Sequence, residues 1–234
     1  MHAQPALRRD RCRIPPRGAR TIFNTVTNTI QDPHSAFLAA ADHALWQPAD
    51  HVRRAEMSDI FPRTAPLEID FGCGDGSFLL AMAARFPGRN FLGTERMLGR
   101  VEKVSRAIAR NGLTNARVIR LESNYVAKWL LPIACAEIVH IGFPDPWPKR
   151  HHHGRRLFQD DFMVSLHQVL APGAEVRIKT DDQPYFQWIE KVIARAKGFE
   201  RIEWIEEQDY PKTDFEQHFV DQGLPIYRAR LRKV

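Results

Sequence analysis

An α/β fold, a mostly parallel sheet with helices on both faces, is predicted by three observations. Short apolar runs alternate with helix-length segments from about residue 65 onward, turn residues separate them, and the first run ends in a Gly-x-Gly-x-Gly turn that opens into a helix. Residues 67–71 read as strand, 78–85 as helix, and 90–94 as a second strand after Pro87-Gly88, which makes a βαβ unit. Residues 98–110 read as helix stopped by Asn111-Gly112, 116–121 as strand, 125–131 as a short helix and 137–142 as strand. A helix over 157–170, closed by Ala171-Pro172-Gly173, leads to a fifth strand over 175–180, a helix over 183–197, and closing strands over 202–206 and 225–231. In such a sheet, ligands bind beyond the carboxyl ends of the strands where the strand order reverses. The chemical motifs fall at those ends.

The 234 residues suit one domain over 35–234, preceded by a basic tail over 1–34 that is expected to be disordered. That tail holds Arg8, Arg9, Arg11, Arg13, Arg17 and Arg20 against Asp10 and Asp32, so it carries four of the six excess positive charges. Residues 200–221 are acidic, and overall charge is therefore weaker evidence for a nucleic-acid partner than the local run from Lys149 to Arg156. No stretch reaches the roughly 18 apolar residues of a membrane span, and the start lacks the apolar core of a secretory signal. Cys12, Cys73 and Cys135 form neither a CxxC pair nor a disulfide framework. A cytoplasmic protein, monomeric or homodimeric, is expected.

Residues 143–150 read Phe-Pro-Asp-Pro-Trp-Pro-Lys-Arg and run into His151, His152, His153, Gly154, Arg155 and Arg156. The prolines forbid continued helix or central strand and make a rigid loop. A fixed carboxylate beside an indole can clamp a flat heterocycle, and the cations downstream can take phosphates, which together describe a nucleobase within a nucleic acid. The competing reading is a proline-rich surface turn followed by a solvated charge run. Adjacent histidines diverge and no second ligand cluster accompanies them, so no metal site is expected.

The first strand ends in Asp70-Phe71-Gly72-Cys73-Gly74-Asp75-Gly76. A dinucleotide fold needs Gly-x-Gly-x-x-Gly and a bare helix N-terminus for pyrophosphate, whereas Asp75 would repel phosphate. A zwitterionic ligand fits better: Asp70 can hold an ammonium group, Gly72, Gly74 and Gly76 admit a ligand close to the backbone, and Glu95 at the end of the second strand can bond ribose hydroxyls. These are the requirements of S-adenosylmethionine. Glu122 or Asn124, after the third strand, can accept from an adenine amino group, and either can instead cap the following helix.

Together, Asp70-x-Gly72-x-Gly74-x-Gly76, Glu95, the run 143–149 with Arg155-Arg156, Thr180-Asp181, and Thr213-Asp214-Phe215-Glu216 resemble the tRNA (guanine-N7)-methyltransferase family over about residues 65–232. The resemblance implies a class I methyltransferase, Rossmann-like sheet of seven strands and methyl transfer from S-adenosylmethionine to N7 of guanine at position 46 in the variable loop of tRNA. It further implies that Asp70, Glu95, Glu122 or Asn124, and Asp145 line the methyl-donor site. Lys149, Asp181 and Thr213, Asp214, Phe215 and Glu216 are implied to contact RNA, with Arg155 and Arg156 expected on phosphates. Where the family carries Lys-Arg-His-x-Lys-Arg-Arg, this chain has Arg150-His-His-His-Gly-Arg155-Arg156, with fewer permanent cations. Asp145 is the first candidate to read guanine N1-H and N2-H and so to serve catalysis, and Glu216 is its rival. Trp147 can stack on the base or plug the core beneath the loop. Methylation of another RNA base and a non-catalytic RNA-binding module are the alternatives; the intact glycine loop with Glu95 argues against the second.

Overall fold

The computed structural model describes residues 33–206 and 210–234. The tail expected over 1–34 therefore lies outside the described residues except for Pro33 and His34, which begin the first helix. Strands β1 (Leu67–Phe71), β2 (Asn90–Thr94), β3 (Ala116–Ile119), β4 (Ala136–Gly142), β5 (Leu170–Thr180), β6 (Phe199–Ile202) and β7 (Tyr227–Lys233) form one sheet in the order β3-β2-β1-β4-β5-β7-β6. The first five are parallel, and β7 runs antiparallel to both β5 and β6. The chain winds outward from β1 to β3 and then returns to β4, so the order reverses between β1 and β4. A ligand crevice forms at that point.

Helices α1 (Pro33–Ala44), α3 (Ser77–Arg85) and α4 (Leu98–Arg110) pack one apolar layer, with the short α2 (Met57–Ile60) between the first two in sequence. The other layer contains α5 (Ser123–Tyr125), a π-helical turn (Val126–Leu130), α6 (Asp160–Val169) and α7 (Gln183–Ile193). Val101, Val104 and Ile108 are buried at helical spacing in α4 while Arg100, Lys103 and Arg106 face water. Each such burial is worth about 1.5–3 kcal/mol. Among the described residues, no helix is long and apolar enough to cross a membrane.

Three segments depart from the expected boundaries. Pro172-Gly173 does not end the element before β5; pairing shifts from Ala136–Leu170 to Ile138–Glu175, and Gly173 at φ +75° absorbs the irregularity inside a longer strand. The short helix after β3 begins at Ser123 and widens into the π-helical turn; the carbonyls of Ala127 and Lys128 within it and of Leu131 just after it receive the Arg54 guanidinium. The sixth strand spans Phe199–Ile202 rather than 202–206, because Trp204 and Glu206 leave the sheet and line a cavity over its polar face. A final helix, α8 (Asp214–Asp221), follows that segment.

Candidate active site

The glycine turn sets the first wall. Gly72, Gly74 and Gly76 adopt φ +83°, +58° and +80°, and a Cβ on Gly76 would stand 2.7 Å from Val104 Cγ2. The close approach of turn to α4 therefore requires glycine there. The buried Thr94 hydroxyl fastens the turn, accepting from Gly72 N-H at 3.0 Å and sharing a hydrogen bond with Ser123 Oγ at 2.8 Å. Sequence reading did not single out Thr94, yet it joins the ends of β1, β2 and β3.

Asp70 is buried on the same polar face and has no hydrogen bond or ion pair to another described residue. Burial, reinforced by the nearby Asp75 charge, raises its carboxyl to about 7. Glu95 lies at the end of β2; its Oε1 accepts from the amides of Arg96 and Met97 at 2.7 and 2.8 Å, while Oε2 is 3.7 Å from Arg100. One carboxylate oxygen is fixed by backbone and the other faces the Arg100 guanidinium. Glu122 spends both oxygens capping α5, on Asn124 N-H and Tyr125 N-H. Asn124 donates to Asp161 at 3.0 Å, and its buried Oδ1 has no partner among the described residues.

The second wall is the proline loop. Phe143 and Trp147, which bracket Pro144-Asp145-Pro146, hold φ +51° and +43°, and each precedes a proline. Left-handed backbone at a bulky residue before proline is strained, and such strain persists only when surrounding contacts impose it. Those contacts are visible. Phe143 N-H donates to the Lys179 carbonyl at 2.8 Å, and its ring meets Phe215 edge-on at 4.8 Å. Arg156 Nε donates to the Pro146 carbonyl at 2.8 Å, with the guanidinium lying over the rings of Tyr185 and Trp188.

Arg156, expected on phosphates, is only 6% exposed, and its Nε is committed to the loop carbonyl. Its neighbour Arg155 is exposed and covers the Trp147 ring at 5.1 Å, with His152 edge-on to the same indole. Trp147 thus belongs to a half-exposed cluster and does not plug the core. The side chains of Asp145, Lys149 and Asp181 make no hydrogen bond or ion pair with a described residue; Asp145 and Lys149 are exposed and Asp181 half-buried.

The third wall is α8. Thr213 caps it, accepting from Glu216 N-H at 2.9 Å, but the buried Glu216 carboxylate turns to Lys179, 2.6 Å away. Phe215 sits against Phe143 and Phe219. Asp70, Gly72, Phe143, Lys179, Thr213 and Glu216 all line one cavity between the sheet and residues 204–206 and 210–216. Glu95, Glu122 and Asn124 lie along the neighbouring strand ends, outside that cavity.

Beneath the cavity, His140 Nε2 is 2.7 Å from Glu68 Oε2, and Arg89 Nε is 2.6 Å from Glu68 Oε1. Burial lowers the His140 pKa, so the neutral ring donates to Glu68. Tyr210 packs on His140 and on the Arg177 guanidinium, which ties the covering segment to the sheet. The missed residues did leave a trace: Glu68 with Asp70, and Arg177 with Lys179, alternate in central strands that would otherwise be apolar on both faces. Such alternation marks a polar crevice.

The putative methyltransferase family matches residues 64–229. A tRNA (guanine-N(7)-)-methyltransferase of Nitrosococcus oceani is 33% identical over 178 residues, covering 76% of this chain and 75% of that one. The enzyme of that name from Halorhodospira halophila is 34% identical over 184 residues, with 75% and 80% coverage. Among solved structures, the 16S rRNA methyltransferase KamB superposes with a TM-score of 0.59 at 16% identity, over 81% of this chain and 98% of that one, which shows a shared fold. Sequence match and architecture agree: the chain belongs to the tRNA (guanine-N7)-methyltransferase family.

Proposed function

We propose that this protein transfers a methyl group from S-adenosylmethionine to N7 of guanine at position 46 in the variable loop of tRNA. The residues present fit the methyl donor. Asp70 is a buried carboxylate lacking a countercharge and suits the donor's ammonium, and the Glu95 oxygen left free by the backbone suits ribose hydroxyls. Glu122 is consumed by its capping bonds, whereas Asn124 Oδ1 is an unpaired buried acceptor suited to the adenine amino group. When bound, the donor supplies an electrophilic methyl carbon on a sulfonium.

Guanine N7 carries a free lone pair at neutral pH, so no strong base is required. The protein's work is alignment, and holding reactants in line can supply several kcal/mol of the barrier. Asp145 is placed on a loop whose ends are fixed by Lys179 and Arg156, and its free carboxylate can accept from guanine N1-H and N2-H. Adenine offers no such pair of donors. Lys149 and Arg155 are exposed cations beside that loop and suit phosphates; Thr213, Asp214, Phe215 and Glu216 form the start of α8.

The single observation carrying this reading is the joint lining of one cavity by Gly72 of the glycine turn, Phe143 at the start of the proline loop, and Thr213 and Glu216 at the start of α8. The test is to incubate purified protein and S-adenosylmethionine with unmodified tRNA, then analyse nucleosides by mass spectrometry and map the modified position. N7-methylguanosine at position 46 is expected. A methyl group on another base would overturn the reading.

A further inference from the structure

A second groove lies between the proline loop and α7. Pro148, Pro184, Gln187, Trp188 and Lys191 line it together with the mostly buried Arg156, with a volume of about 360 Å³. That volume falls within the roughly 300–1,000 Å³ typical of small-ligand sites. From this groove we infer that α7 and the proline loop hold a second nucleotide of the substrate, an unpaired one next to the methylated guanosine. The inference rests on the tRNA reading given above.

Three features identify the occupant. Two proline rings and an indole give flat apolar walls of the kind on which a base packs. The indole is held in place: its Nε1-H donates to the Phe158 carbonyl at 2.8 Å, and the buried Arg156 guanidinium lies over its ring. Gln187 and Lys191 are exposed, and neither side chain has a hydrogen bond or ion pair to a described residue, so an amide is available for a base edge and an ammonium for a phosphate.

Position completes the argument. Pro148 immediately precedes Lys149, and the α7 cap Asp182, which also lines the groove, immediately follows Asp181. The groove therefore lies between two residues assigned to the RNA. A chain running from Asp145 past Lys149 meets α7 next, and the footprint of the RNA extends onto a helix that the sequence motifs do not include. The negative charge of Asp182 does not oppose this, because its Oδ1 accepts from Tyr185 N-H at 2.7 Å as the helix cap.

The test uses full-length protein and unmodified tRNA. Lys191→Ala and Gln187→Ala change exposed side chains of α7 and leave its packing face intact. Both are expected to weaken tRNA binding about three- to tenfold in gel shifts. Lys191→Ala alone should also reduce the slope of log affinity against log salt by about 0.7–0.9, the contribution of one phosphate contact. A tRNA carrying 4-thiouridine beside position 46 should cross-link to the peptide spanning α7. Parent-like affinity and slope for both variants would overturn the groove assignment. The parent enzyme separates the two readings: if it forms N7-methylguanosine while the variants bind as the parent does, only the groove is wrong, and if it forms none, the catalytic reading fails instead.

Discussion

Lys179 is bound at both ends: its Nζ lies 2.6 Å from Glu216 Oε1, and its carbonyl accepts the Phe143 amide at 2.8 Å. One residue of β5 therefore sets the height of α8 and the start of the proline loop together. Lys179→Met leaves the buried Glu216 charge uncompensated except by Arg228 at 3.9 Å. A loss of about 3 kcal/mol, or roughly 6–12 °C in Tm, is expected. The double variant Lys179→Met/Glu216→Gln should regain most of that stability and still methylate slowly, because the start of α8 is no longer anchored opposite the proline loop. Calorimetry and single-turnover assays on the same samples separate the two effects; recovery of both stability and rate would make the pair purely structural.

Asp70 should link cofactor affinity and stability with opposite signs. Its folded pKa of about 7 lies above the ordinary 3.8, so the folded protein binds more protons than the unfolded chain between those values and loses stability as pH rises through that window. The difference is worth on the order of 4 kcal/mol at most. Asp70→Asn should therefore raise the Tm of the unliganded protein at pH 8, with the gain vanishing towards pH 4. Titration calorimetry should show S-adenosylmethionine binding that tightens through pH 7 in the parent, and weaker, flatter binding in the variant. Unchanged affinity would remove Asp70 from the donor site.

The two adjacent arginines should respond differently to substitution. Arg155→Ala is expected to lower tRNA affinity and flatten its salt dependence by about one counterion. Arg156→Lys keeps a charge but cannot reproduce a planar donor held between two aromatic rings and the Pro146 carbonyl. Turnover should fall about tenfold with the salt slope intact, since the effect is on the position of Asp145. A changed slope for Arg156→Lys would place that residue on the RNA.

The sheet and most helix boundaries were legible because apolar periodicity and turn residues act locally. Asp70, the glycine turn and Glu95 were legible as a set because a strand-turn-helix unit fixes where they fall. What sequence could not give was the fate of side chains whose partners are distant: Arg156 and Arg155 look alike in the chain, and only the arrival of Tyr185 and Trp188 from α7 buries one and leaves the other exposed. Likewise, Thr213-x-x-Glu216 has the form of a capping box, but Lys179, 37 residues before Glu216, draws the glutamate away from the cap. Trp204 reads as strand, but Trp204 and Glu206 leave the sheet and line the cavity over its polar face, where Tyr210 and Glu216 also lie.

Asp145 provides the most direct test of catalysis. Its carboxylate stands between two residues in left-handed backbone and has no protein partner among the described residues, so its charge is available to substrate. Asp145→Asn keeps size and one acceptor but turns N-H donors toward guanine N1-H and N2-H. A charge-assisted bond of about 1.5–3 kcal/mol is lost, and if it acts only in the aligned state, turnover slows by about one to two orders of magnitude. Donor and tRNA affinities should change far less. Single-turnover rates at saturating tRNA and S-adenosylmethionine isolate the step. A near-parent rate for Asp145→Asn combined with a collapse for Glu216→Gln would transfer guanine recognition to α8, where Lys179 already holds a carboxylate in the cavity, and would leave the proline loop as its scaffold.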